Sequence, residues 1–173
     1  MKLILVDKSL IKLTSKFSTE VFIDYYYDLI GPKQAQYMAD LFLSEKAITE
    51  LIDDSAIFKL VMENDEPIGF IEYYKQDNRI FLSKFYVRKD QRNKGVGKLM
   101  LKDCIEYGHQ NNADSIYLTV NKGNSNSIDI YNHIGFKQID AVINDIGNNY
   151  VMDDYIMELD IKKDSNQKSP LFV

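Results

Sequence analysis

Phe85-Tyr86-Val87-Arg88-Lys89-Asp90-Gln91-Arg92-Asn93-Lys94-Gly95-Val96-Gly97-Lys98-Leu99-Met100 decides how this chain folds. An apolar, β-prone run passes through a basic, glycine-bearing turn directly into a segment of helical period. Such a turn suits a phosphate, because glycines let the backbone come close and the opening N–H groups of a helix point at the anion. Between residues 88 and 102 stand six basic residues (Arg88, Lys89, Arg92, Lys94, Lys98 and Lys102) against Asp90 alone, in a chain whose total charge is −5. One short basic cluster in an acidic protein, with pI ≈ 5.1, predicts a small polyanion as ligand and argues against nucleic acid. Other glycine motifs fail on the residues. A dinucleotide fingerprint needs a third glycine where Met100 stands, and a P-loop needs Ser or Thr where Leu99 stands.

The frame around this stretch is that of an ordinary globular protein. A chain of 173 residues with 45% apolar and 27% charged content fits one domain with a sizeable core. We expect a single domain over residues 1–161 and a polar tail over 162–173. No run approaches membrane-span length, and Met1 to Asp7 is too short and too soon charged for a signal peptide. Cys104 is the one cysteine, which excludes an internal disulfide and suits a reducing, cytoplasmic setting. One Cys with two His (His109, His133) argues against a metal site.

Upstream, Lys2–Val6 reads as a short strand. Ser9 is the expected cap of a helix carrying Leu10, Leu13, Phe17, Val21, Ile23 and Tyr27, broken at Gly31-Pro32. Pro32 opens a second helix to about Phe42, and Ser44 caps a third that ends near Asp53. Tyr25, Tyr26, Tyr27 and Tyr37 at helical spacing are core packing or, in part, a substrate wall. From Ile57 the period changes to that of strands. Residues 57–62, 68–74 and 80–87, joined by short turns, predict an antiparallel meander. After the basic turn, Val96, Met100, Cys104 and Tyr107 give an apolar helical face, and Ile116–Val120 is strongly β-like. Strand, helix and strand make a βαβ crossover, so the strands ending at Val87 and Val120 should be parallel neighbours. A polar loop then enters a short helix stopped by Gly135. Strands follow over Phe136–Asn144 and Tyr150–Ile161, with Asp145–Asn149 as the loop between them. The fold class is α/β with a mixed central sheet of about six to seven strands and flanking helices.

Gln91-Arg92-Asn93-Lys94-Gly95-Val96-Gly97 after a strand resembles the acetyl-coenzyme A signature of the GNAT superfamily of N-acetyltransferases. Asn124, Ser127, Tyr131 and the pair Gly135-Phe136 resemble that family's second signature. The two occur in the right order on a matching series of elements, and the resemblance covers nearly the whole chain. It implies the GNAT fold and transfer of an acetyl group from acetyl-coenzyme A to an amine, with no metal.

The resemblance assigns roles to particular positions. Asn93, Lys94, Gly95, Val96, Gly97 and Lys98 would hold the pyrophosphate by main-chain N–H groups, with Arg92, Lys94 and Lys98 adding charge. Phe85 and Val87, on a strand that splays from its neighbour, would pair with the pantetheine arm as a substitute strand. Asn124 would bond the pantetheine or pin the splay. Tyr131 matches the general acid that protonates the departing thiolate in a direct attack by a neutral amine. Glu72 is the candidate base; the competing reading sets it on an alternating strand facing solvent. Cys104 reads as a buried filler, and His133 as a helix-end residue.

The acceptor is less sharply specified. Acidic residues including Asp24, Asp28, Glu72, Asp153 and Asp154 favour a cationic amine. The resemblance extends to polyamine acetyltransferase-like proteins, which makes a polyamine or other small primary amine the first choice. Asp153-Asp154 as a solvated strand end is the competing reading. A non-catalytic acyl-coenzyme A sensor of the same fold is the alternative function; only the enzyme requires Tyr131. A homodimer, through the last strand or the helical block, is an arrangement the resembling family uses.

Overall fold

A computed structural model describes residues 1–162; the expected polar tail, Lys162 excepted, lies outside the described residues. In chain order the elements are β1 (Lys2–Leu5), α1 (Ile11–Ile30), α2 (Pro32–Leu43), α3 (Glu45–Asp53), β2 (Ile57–Glu63), β3 (Glu66–Gln76), β4 (Arg79–Val87), α4 (Val96–Gln110), β5 (Ser115–Asn121), α5 (Ser125–Ile134), β6 (Lys137–Gly147) and β7 (Tyr150–Asp160). The strands form a seven-stranded mixed sheet ordered β1-β2-β3-β4-β5-β7-β6. The expected α/β class, the meander and the βαβ crossover are all present. No helix among the described residues is long and apolar enough to cross a membrane.

The chain forms two compact units, one of Met1–Tyr74 with Leu82–Cys104, the other of Lys75–Phe81 with the chain from Ile105 onward. The first holds the helical block. Ser44 caps α3 as expected, its side chain accepting from Ala47 N at 3.2 Å. Ser9 does not cap α1. Its N–H and hydroxyl both donate to Asp7 Oδ1, at 2.8 and 2.5 Å, and α1 begins after Leu10 without a side-chain cap. The buried stripe of α1 also differs from the apolar spacing: Leu13 and Tyr27 are exposed, while Thr14 and Ser18 are buried. These two small hydroxyls return hydrogen bonds to backbone carbonyls of α1 or its cap, Leu10 O and Ser15 O, which makes their burial inexpensive. Several aromatics of this unit pack together: Phe70 stacks between Phe58 at 6.1 Å and Tyr86 at 5.1 Å and meets Phe17 edge-on, while Tyr25, Tyr26 and Tyr37 are half-buried.

The second unit contains the parallel β4/β5 ladder, which runs Arg79↔Ser115, Ile80↔Ile116 and Phe81↔Tyr117. β4 continues past that ladder to Val87, and β5 continues to Asn121 paired with β7. The β6–β7 connection is shorter than the sequence suggested. Asn148 and Asn149, both at positive φ (52° and 61°), make a two-residue hairpin turn that lets the strands extend to Gly147 and Tyr150.

Candidate active site

In the first unit the C-terminal half of β4 runs through a single 3₁₀ turn, Lys89–Gln91, into a loop and then α4. Asn93 and Gly95 take left-handed backbone at φ 61° and 86°, and this pair of bends turns the chain onto the helix axis. A Cβ at Gly95 would meet no atom within 4 Å, so the left-handed φ, not crowding, is what requires glycine there. The helix then presents its opening N–H groups and positive dipole end to the loop.

The basic residues of the turn divide into two sets. Arg88 is consumed locally: its Nε donates to Asp90 Oδ1 at 2.7 Å, Glu66 lies 3.6 Å away, and the hydrogen bond to Asp90 raises its already high pKa. Arg92 is aimed instead. Its Nε donates to Val87 O at 3.3 Å and its guanidinium lies over the Tyr25 ring at 5.3 Å, so helix α1 steadies a cation beside the loop. Lys94 is exposed and reaches Gln91 Oε1 at 3.2 Å. Phe85 lays its ring against Gly97, and Val87, the other pantetheine candidate, has its carbonyl engaged by Arg92.

Gly69, which sequence reasoning passed over, sets how closely β3 approaches this turn. A Cβ there would stand 2.9 Å from Val96 Cγ1 and 3.1 Å from the Tyr86 carbonyl oxygen. Gly69→Ala should therefore displace the start of α4, costing about 1–3 kcal/mol of stability and weakening coenzyme binding. Denaturant melts and calorimetric titration with acetyl-coenzyme A check both effects; an alanine variant unchanged in each would contradict this close approach.

Glu72 is not on a solvated face. It is fully buried, and its Oε2 accepts from Lys84 Nζ at 2.8 Å while Oε1 has no hydrogen-bond partner. The alternation of β3 gives way to burial of both faces from Ile68 to Tyr73, as in a strand whose sheet is covered on both sides. Lys84 was the missed signal: it falls on the buried alternation of β4 with Ile80 and Leu82, where a lysine needs a carboxylate. Cys104 is buried as expected, which pushes its thiol pKa up and leaves it inert.

In the second unit, α5 carries the other group of expected residues. Asn124 is 7% exposed and caps α5, its side chain accepting from Ser127 N at 3.2 Å. Gly135 closes the helix at φ 112°, its N–H and that of Phe136 donating to Tyr131 O. Phe136 is buried and its ring lies 5.5 Å from that of half-buried Tyr131 at a 60° tilt, so the spacing of this segment fixes the tyrosine's backbone and one side of its ring. His133 is exposed at the end of the helix. Asp153 and Asp154 differ from each other. Asp153 pairs with Lys122 at 2.5 Å, whereas Asp154 is 3% exposed, and burial pushes its carboxyl up to about 6 against a hydrogen bond from Thr119. The solvated-end reading fails for Asp154.

Residues 14–136 match the Acetyltransferase (GNAT) family. A "probable spermine N(1)-acetyltransferase" of Bacillus subtilis subsp. natto is 33% identical over 79 residues, 40% of this chain and 52% of the relative. The matched stretch thus spans about half of that relative's length. A "peptidyl-lysine N-acetyltransferase YjaB" of Salmonella typhimurium is 23% identical over 115 residues, 66% of this chain and 71% of that protein. Among solved structures, the PaiA N-acetyltransferase of Thermoplasma acidophilum in complex with coenzyme A has the same fold, with a TM-score of 0.78 at 20% identity over 92% of this chain and 99% of that one.

Proposed function

Because this chain belongs to the GNAT acetyltransferase family, we propose that it transfers an acetyl group from acetyl-coenzyme A to a primary amine, with residues 1–161 acting as one catalytic module. The observation that carries this is the turn from β4 into α4, where left-handed Asn93 and Gly95 deliver a helix N-terminus flanked by Arg92, Lys94 and Lys98. These residues fit a pyrophosphate, and β4 beyond its ladder with β5 fits a pantetheine arm lying as a strand. Asn124 acts by capping α5 and so placing Tyr131. Tyr131 donates its phenolic proton to the sulfur as the C–S bond breaks. The acidic net charge of −5 supports a cationic acceptor, and the relative named for spermine supports a polyamine among such amines.

Free thiol release from acetyl-coenzyme A, followed over a panel of polyamines, aminoglycoside-like amines and lysine peptides, tests the reading. Turnover with a small polyamine is the expected result. Tight coenzyme binding without turnover on any amine would favour a sensor over an enzyme. Neutralising Arg92 and Lys94 together should raise the KM for acetyl-coenzyme A about tenfold or more and leave the amine KM nearly unchanged. Loss of amine affinity alone would remove these residues from the pyrophosphate.

A further inference from the structure

An arginine free to move samples many rotamers, and an anion that recruits it must first still a long side chain. Arg92 is held in advance, on two sides. Its Nε donates to Val87 O at 3.3 Å, and its guanidinium carbon lies 5.3 Å from the centroid of the Tyr25 ring. Among the described residues it makes no ion pair and no other hydrogen bond, so neither Nη group has an acceptor. Arg88 shows the contrast. Its guanidinium is taken up by both Asp90 oxygens, Pro67 O and Glu66. Asp24 and Asp28 flank Tyr25 on α1, yet both are exposed and neither pairs with Arg92.

The ring beside Arg92 is fixed from the core outward. Tyr25, in the second half of α1, meets Tyr26 and Tyr86 at interplanar angles of 78° and 76°, with centroids 5.1 and 5.9 Å away. Tyr86 stacks on fully buried Phe70, and its hydroxyl lies 3.3 Å from that of Tyr26. Phe22, buried on the same helix, packs against Tyr26 and Tyr86 at 4.6 and 5.7 Å. All of these residues belong to the first unit. A ring gripped by two neighbours keeps its face where it is, and that face attracts a cation through its quadrupole. A carboxylate in its place would also hold the arginine, but it would neutralise the charge and occupy the N–H fork.

We propose that Tyr25 is a positioning residue for the coenzyme: its ring holds Arg92 so that the Nη edge of the guanidinium stays open for a phosphate at the turn from β4 into α4. The assignment rests on reading that turn as the pyrophosphate site. By spacing, the tyrosines of α1 are core or substrate wall; Tyr25 takes a third role, on the coenzyme side.

Calorimetric titration with acetyl-coenzyme A, thermal melts and kinetics with the best amine of the panel test it. Tyr25→Leu should weaken coenzyme binding about fivefold, raise the KM for acetyl-coenzyme A by a matching factor and leave the amine KM within about twofold. Tyr25→Phe keeps the ring and should bind within about twofold of wild type. Arg92→Gln should weaken binding about tenfold. Adding Tyr25→Leu to it should cost less than about twofold more, because the ring acts only through the guanidinium. Phe22→Leu takes a ring from the same cluster, so it should lower the melting temperature and leave the coenzyme Kd within about twofold. Four results overturn the role of Tyr25 alone: wild-type affinity in Tyr25→Leu, equal losses in Tyr25→Phe or in Phe22→Leu, or the full loss repeated on the Arg92→Gln background. Wild-type affinity in Arg92→Gln, or a wild-type protein that does not bind acetyl-coenzyme A, overturns the pyrophosphate reading of the turn, and this assignment with it.

Discussion

Tyr131→Phe should turn over its amine about 10²-fold more slowly at saturation, a loss of about 2.7 kcal/mol of transition-state stabilisation. The argument depends on how little else changes. The tyrosine ring is held against Phe136 at 5.5 Å, and its backbone carbonyl receives the two N–H groups that close α5. Phenylalanine keeps both, so the missing hydroxyl is the only chemical difference. A thiolate leaving without a proton donor must be protonated by water, and that is what the rate loss measures. Acetyl-coenzyme A affinity should stay within about twofold, because neither the Asn93–Lys98 loop nor Arg92 is altered. An unchanged kcat would remove Tyr131 from the acid role whatever happened to KM.

Breaking the Glu72–Lys84 pair should have the largest effect on stability. Glu72 is fully buried and Lys84 is 9% exposed, so Glu72→Gln leaves an ammonium without its counter-charge in the sheet interior. Loss of one partner of such a pair costs about 3–5 kcal/mol, enough to unfold many domains of this size at physiological temperature. The carboxylate already carries a partnerless oxygen, Oε1, and is therefore poorly compensated. Replacing both residues by methionine should recover most of the loss, since two well-packed apolar side chains carry no desolvation cost. Denaturant midpoints of the single and double variants decide the matter. If Glu72→Gln were as stable as wild type, the pair would not be a structural element, and Glu72 would return as a candidate base.

These two residues also show where sequence reading succeeds and where it stops. The helix frame around Tyr131 was legible because it is local. Asn124 three residues before Ser127, and Gly135 four after Tyr131, are cap and stop signals of one short helix, and a ten-residue helix cannot form there without fixing the tyrosine. The turn from β4 to α4 was legible for the same reason: left-handed Asn93 and Gly95 and the basic run lie within a few residues of one another. The solvent-facing alternative for Glu72 and the expected cap at Ser9 failed for the opposite reason. Whether a strand residue meets solvent depends on what packs over the face it points from, and whether a serine caps a helix depends on competition from Asp7, which the sequence does not rank.

The sequence by itself determined the order of elements, the α/β class, the basic glycine turn from β4 into α4 and the cap and stop that frame Tyr131, because each is written in contacts between near neighbours along the chain. The tertiary structure decided which charges are buried. It placed Lys84 against Glu72 across β3 and β4, stacked Arg92 over Tyr25, set Gly69 beneath Val96, and buried Asp154 within β7, opposite the last residue of β5 and beside Thr119. Each of these depends on residues distant in the chain being brought together, and the cost of burying a charge exists only once they have been.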